Sequence, residues 1–454
     1  GDYMLVFIDT DSSRGELERN VMKFAIYRNG QWSDASVIQD GGTADFQPSV
    51  ADAGENVAVA WISSDISVEK TGDPIQYLTT MEVYTARINK ATGEVGEITR
   101  LTNDTYYDYS PTVVYDSTTG DMAVYYIKSS VGSSFLDTAN SFTNDCIITY
   151  MLYDNGMGRW LTDYYYPEEV SDESTAEELI KNWGGQRFLP SPIDEFNMSD
   201  PLITDFTAIG YNGLAVYGYT IDKDNDSSTN EDRDLFIQVY DFTTHKNHPP
   251  VRITYDGVDD DGQMTSEVAD TMPQFVRAGG ADGNTYLYWF RGDNKLSNIN
   301  VSDLAHNGLN DDGTISDDYD LAPADVHINL PPEMKQGSNE AYATMSYYKV
   351  CVDKEDNIYV IWVDLDRETN KQEIFATAVI TDEETGETSY ADAYQLTHSG
   401  KHNDEPAFLV DDEGNMIVVS TRYNTVRTDD PVNPLEITDT ELVATVFEPY
   451  GELY

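Results

Sequence analysis

The sequence predicts an all-β protein, a seven-bladed β-propeller of four-stranded antiparallel blades with loop insertions on one face, six or eight blades being the alternatives. Three observations carry that expectation. One unit recurs in fixed order, most fully in AYQLTHSGKHNDEPAFLVDDEGNMIVVSTRYN at residues 393–424, and such self-similarity marks a repeat architecture. Within the unit a proline opens an apolar run, a tight turn such as Asp411-Asp412-Glu413-Gly414-Asn415 follows, and an alternating run through Met416, Val418 and Ser420 leaves it, as in a β-hairpin. Hairpins joining the second and third strands of a unit number seven along the chain.

Let A be the strand after the proline and B the strand after the tight turn. The chain then opens mid-unit, with B at 2–9, C at 21–28 and D at 31–39, the last reached through Arg28-Asn29-Gly30. Unit two supplies A at 48–52, B at 57–62, C at 81–88 and D at 95–101, and unit three A at 111–115, B at 122–127, C at 147–153 and a Tyr-rich D at 161–166. An insertion of about 35 residues, 167–201, carries STAEELIKNW, where Ser174 and Thr175 ahead of Glu177 and Glu178 predict a capped surface helix. Unit four has B at 214–221, C at 235–242 and D at 251–255, with a degenerate A in ITDFTAIGY. Unit five has A at 274–276, B at 285–290, C near 296–301 and D at 326–330. Unit six spans 345–396 and unit seven 406–449 without a D strand. Blades are expected near 1–46, 47–109, 110–203, 204–271, 272–342, 343–404 and 405–454, forming one domain. The absent first A and last D leave two readings open, incomplete terminal blades or a piece of a longer protein.

The run L-T, polar loop, proline and apolar strand, Asp-x-x-Gly-Asn turn and Val-rich strand, as in QLTHSGKHNDEPAFLVDDEGNMIVVSTRYN, resembles the TolB-type, WD40-like propeller repeat. The units here are longer, about 62 residues from Met345 to Pro406 against about 40–50 for such repeats. The resemblance implies a propeller used as an interaction platform and carries over no catalytic residue.

A formal charge of −55, from 82 acidic and 27 basic residues, argues against nucleic acid and anionic membrane surfaces as partners. It fits a solvated coat for an extracellular or cell-surface setting. No apolar run is long enough to span a bilayer, and because the chain opens on a strand, any signal peptide is expected to be already absent. Cys146 and Cys351 stand in different units and strand positions and are expected as two buried thiols rather than a disulfide.

The B-to-C and D-to-A connections carry the long insertions, so the functional face is expected there. On it Asp222, Asp224 and Asp226, in DKDNDSSTNED, place alternating carboxylates that can converge on calcium, although the Gly and Glu of an EF-hand are missing. Asp9 with Asp11 and Asp364 with Asp366 are weaker versions. Tyr106, Tyr107, Tyr109, Trp183 and Phe188 are the candidate binding residues, because aromatics beside carboxylates suit sugar or protein contacts. The six histidines form no zinc spacing, and no nucleophile elbow or P-loop is present. The boxes of a sialidase are absent, DNGMGRW being a faint echo. The sequence thus puts first a monomeric, non-catalytic binding module for a protein or glycan ligand. The alternative is a carbohydrate-active enzyme, hydrolase or lyase-like, using paired acids in the central cavity.

Overall fold

The computed structural model describes residues 2–15, 18–39, 41–64, 74–129, 146–170, 172–189, 202–222, 233–254, 270–277, 284–291, 295–302, 328–329, 348–353, 357–366, 369–381, 388–391, 394–411, 413–428 and 435–447. Its strands form seven antiparallel sheets, the blades of a seven-bladed propeller. The chain divides into two compact units, Gly1–Glu267 with Leu304–Asp320, and Val268–Asp303 with Leu321–Tyr454.

In the first unit, blade one holds β1 (Tyr3–Thr10), β2 (Asn20–Arg28), β3 (Gln31–Trp32) and β4 (Ser36–Val37). Blade two holds β5 (Asp45–Ala53), β6 (Asn56–Ser64), β7 (Met81–Asn89) and β8 (Thr99–Arg100), with a short helix α1 (Pro74–Leu78) between B and C. Blade three holds β9 (Tyr107–Tyr115), β10 (Met122–Ser129), β11 (Cys146–Asp154), β12 (Arg159–Trp160) and β13 (Arg187–Phe188), and helix α2 (Glu173–Trp183) lies between the last two. Blade four holds β14 (Leu202–Tyr211), β15 (Leu214–Asp222), β16 (Asp234–Asp241), β17 (Lys246–Asn247) and β18 (Val251–Arg252).

In the second unit, blade five runs through β19 (Asp270–Arg277), β20 (Thr285–Arg291), β21 (Lys295–Asn300) and β22 (Ile328–Asn329). Blade six runs through β23 (Tyr348–Val352), β24 (Ile358–Asp366), β25 (Lys371–Thr381), β26 (Thr388–Tyr390) and β27 (Tyr394–Gln395), and blade seven through β28 (His402–Val410), β29 (Met416–Arg427) and β30 (Leu435–Phe447). Among the described residues blade one has no A strand and blade seven no D strand. No described helix is long and apolar enough to cross a membrane.

The B strands β10 and β15 are buried along their whole length because blades cover both faces, and strand alternation deals the side chains of the inner B strands to two separate cores. On β10, Met122, Val124 and Tyr126 pack with Ala58, Ala60 and Ile62 of blade two, while Ala123 and Tyr125 pack with Ala215 and Tyr217 of blade four. Blade two does the same, Val59 and Trp61 facing Met22 and Phe24 of blade one. In the second unit β24 sends Val360 and Trp362 to blade five and Ile361 and Val363 to blade seven.

The proline of the repeat marks a bulge. Asp45, Asp108, Asp270 and Asn403 each stand three residues before a proline and are buried. The residue just before that proline is left-handed at Gln47, Ser110, Met272 and Glu405, with φ between 49° and 52°, and strand register shifts there. A bulge leaves its extra residue unpaired, so the missing proline N–H costs no ladder bond. The L-T signature, Ile253-Thr254 in blade four, anchors the neighbouring D strand: Thr102, Thr254 and Thr397 Oγ1 accept from the N–H of Val83, Leu235 and Ile374 at 2.8–2.9 Å.

Four sequence expectations need correction. The D strand of blade three is not residues 161–166 but the two pieces β12 and β13, with the insertion between them, so it interrupts a strand rather than following one. The tyrosines of 164–166 read as a strand but pack the excursion down. The long connection expected at 421–438 is largely a ladder, β29 pairing with β30 out to Arg427 and Leu435, as its alternating Thr, Tyr and Val residues favour. Helix α2 is capped by Asp172, whose Oδ1 accepts from Ser174 N, not by Ser174 or Thr175. Both cysteines are free and only half buried.

Candidate functional site

The excursion inside the outer strand of blade three builds a cleft lined by titratable and aromatic side chains. The chain leaves at Leu161, still bonded to Leu152 (2.8 Å), turns at Tyr166–Val170, runs through α2 and ends it on left-handed Gly184 (φ 58°). It re-enters through Gly185, where an added Cβ would meet Leu161 O at 2.2 Å; only glycine lets the two ends of the excursion pass so closely.

Arg187 then clamps the excursion to the blade. Its Nε donates to Glu169 Oε1 and Oε2 (2.9 and 3.1 Å), Nη1 to Gly185 O (2.7 Å) and Nη2 to Tyr164 O (2.8 Å). Its guanidinium also lies 4.5 Å from the Tyr165 ring. Burial pushes the Glu169 carboxyl up, and the Arg187 charge only partly offsets that, so it stays above the ordinary range. Burial likewise pushes the Tyr165 phenol up to about 12.

Between this excursion and blade four lies a cleft of about 470 Å³, within the size range of small-molecule sites. Glu168, Glu169, Val170 and Leu179 line one wall, Tyr150, Tyr165, Arg187 and Phe188 the floor, and His245, Lys246 and Asn247 the other wall. His245 is left-handed (φ 54°), and its ring stacks on Tyr166 with centroids 3.4 Å apart. Asn247 Nδ2 donates to Tyr150 Oη (2.6 Å) and its Oδ1 accepts from Tyr217 Oη (3.2 Å), fixing the amide. The cleft thus offers apolar and aromatic surface, a carboxyl held toward its protonated form, and several hydrogen-bonding tips.

Of the aromatics singled out in the sequence, three come together beside this cleft. Trp183 packs edge-on against Phe188 (5.0 Å, 84°) and tilted against Tyr106 (5.7 Å, 42°), giving a half-buried row. Tyr107 and Tyr109 form a separate stacked pair on β9 at 5.0 Å, and Tyr109 Oη lies 3.4 Å from Cys146 Sγ. Glu169, Arg187 and the His245–Asn247 wall were not legible as site residues. Their partners lie 18 or more residues apart in sequence, and no local motif marks them.

Below Tyr106 a buried ion cluster holds Lys128 between Asp104 (2.7 Å) and Asp108 (2.8 Å). Burial raises the Asp108 carboxyl to about 7 despite Lys128. Burial also raises Asp104, but bonds from Lys128, Gln186 and Tyr106 N outweigh it and leave its carboxyl below the usual range. A carboxyl pair split this way can signal acid–base chemistry, but Asn403 fills the equivalent of Asp108 in blade seven and donates to Glu373 (2.7 Å). An amide serves there, so the position is scaffold.

Asp222 is fully buried at the end of β15, with Arg233 Nε 3.3 Å away. Asp224 and Asp226 lie outside the described residues, among which no group of three or more His, Cys, Asp or Glu is placed to hold a metal.

No protein-family model and no curated protein matches the sequence. Among solved structures, a Trypanosoma rangeli sialidase with sialic acid is similar at 11% identity and a TM-score of 0.46, covering 100% of this chain and 59% of its own. An α-L-arabinofuranosidase from Fusarium graminearum gives 11% and 0.43, covering 99% and 98%. The β-propeller domain of the Trilobed protease from Pyrococcus furiosus gives 7% and 0.40, covering 97% and 91%. This chain therefore spans about three fifths of the sialidase. Likeness of this degree concerns the propeller fold, and no activity passes with it.

Proposed function

We propose that the protein is a carbohydrate-directed propeller that takes a saccharide in the cleft between the blade-three excursion and blade four. The observation that carries this reading is convergence: Phe188, Leu179 and Val170 supply faces for sugar C–H groups, and Lys246 and Asn247 supply tips for hydroxyls beside the Glu168 carboxylate. Trp183 and Tyr106 extend the platform beyond the cleft. A glycan array followed by titration of the hits tests it. Phe188→Ala should weaken binding at least about tenfold, as loss of a buried aromatic anchor does; unchanged affinity in that variant contradicts the reading.

Hydrolysis is the second reading, favoured by the adjacent carboxylates Glu168 and Glu169 in the same cleft, the second kept toward its acid form by burial. A polysaccharide hydrolysis screen decides it: product formation abolished by Glu169→Gln supports catalysis, and glycan binding without product leaves a binding module. The TolB-type assignment belongs to the same proposal, supported by the buried Asp/Asn-x-x-Pro and Leu-Thr anchors of the repeat. So do an extracellular or cell-surface setting and calcium at Asp222, Asp224 and Asp226, which rest on the acidic composition.

A further inference from the structure

We propose a second ligand site, in the groove between blades two and three, that takes a saccharide bearing one carboxylate. The groove encloses about 580 Å³ between β7–β8 and the turn joining β11 to β12, and shares no lining residue with the Glu169 cleft. Arg87 lines it, and its guanidinium lies over the Tyr153 ring, 4.2 Å from the centroid. Arg28, Arg100, Arg187 and Arg252 of the same unit each face a carboxylate. Arg87 has no such partner among the described residues, and it lines the groove. A planar fork held against a ring, with its N–H groups unspent, matches a carboxylate in bidentate fashion.

Trp160 supplies the sugar-facing surface. It packs edge-on against Tyr153 (5.6 Å, 69°) and lines the groove beside the Asn56 amide and the Thr99 hydroxyl. Glu94 and Glu97 stand on the same groove. They repel a bare inorganic anion or a polyanion, yet accept hydrogen bonds from sugar hydroxyls. A neutral ring with a single carboxylate satisfies both halves of the groove.

The test follows the Trp160 indole N–H signal of the full chain by NMR, assigned with Trp160→Phe. D-galacturonate, D-glucuronate and D-mannuronate are titrated against galactose, glucose and mannose. At least one acid should shift the signal saturably and bind about tenfold or more tightly than its neutral counterpart, the loss expected when a charge-assisted pair is removed. Arg87→Met should erase that preference while keeping a folded spectrum, and Arg87→Lys should recover little of it because a point charge cannot act as a fork. Equal response to acids and neutral sugars, no response to any acid, or an undiminished preference in Arg87→Met overturns the proposal. Phe188→Ala should leave the titration unchanged, so this site and the first stand or fall separately.

Discussion

At the scale of single residues, the acids divide into those that fold the chain and those that line the proposed cleft. Asp108 is the clearest of the first kind. Its carboxyl is raised by burial to about 7, above the ordinary value of about 3.9. A raised carboxyl binds its proton more tightly when folded, so its stabilising effect is complete below about pH 4 and is lost as pH rises through about 7. Asp108→Asn should therefore flatten the fall in stability between those limits, and its melting temperature should approach that of the parent protein only at acid pH. A gap between the two that does not vary with pH would mean that Asp108 is not titrating. Glu169 carries the same sign in the ligand cleft: burial raises it and Arg187 only partly compensates. If the second reading holds, activity requiring its acid form should fall on the alkaline side.

At the scale of elements, close approaches fix how blades nest. An added Cβ at Gly210 on β14 would come within 2.0 Å of Tyr115 O on β9, and backbone cannot move aside as a side chain can. Gly210→Ala should cost about 1–3 kcal/mol or more, as overpacking does, read as a lower urea midpoint. Gly184, left-handed at the end of α2, should cost about 1 kcal/mol when changed to Ala, and should loosen Trp183 beside it. Hydrogen exchange confined to residues 172–189 would register this.

The strands were legible because alternation and turn chemistry are local: Pro406 to Met416 announces its own strand and turn. What the Leu-Thr pair and the buried Asp do was not legible, since each binds a strand elsewhere in its blade or the next one. The blade-three D strand was misplaced for a related reason. Tyr164, Tyr165 and Tyr166 carry strong strand propensity, yet Gly185 and Arg187, about 20 residues later, decide where the strand resumes. The Tyr106–Trp183–Phe188 row was half visible as composition, whereas the cleft beside it depends on Asn247 reaching Tyr150 across two blades.

At the scale of the whole molecule, charge dominates. With a formal charge of −55, self-repulsion weakens the compact state, and raising ionic strength from about 0.01 M to about 0.1 M shortens the screening length from about 30 to about 10 Å. The melting temperature should rise accordingly with sodium chloride. Calcium at matched ionic strength should raise it further if the segment from Asp222 holds the ion, and Asp224→Asn should remove the excess; equal shifts with both salts would leave only screening.

The central claim is that the saccharide lies in the cleft of blades three and four, and hydrogen exchange with and without a glycan hit from the array tests it most directly. Protection is predicted at residues 164–170, 185–189 and 244–247, and it should be reduced in Phe188→Ala at the same glycan concentration. Protection that maps to other segments while these three exchange unchanged would contradict the account.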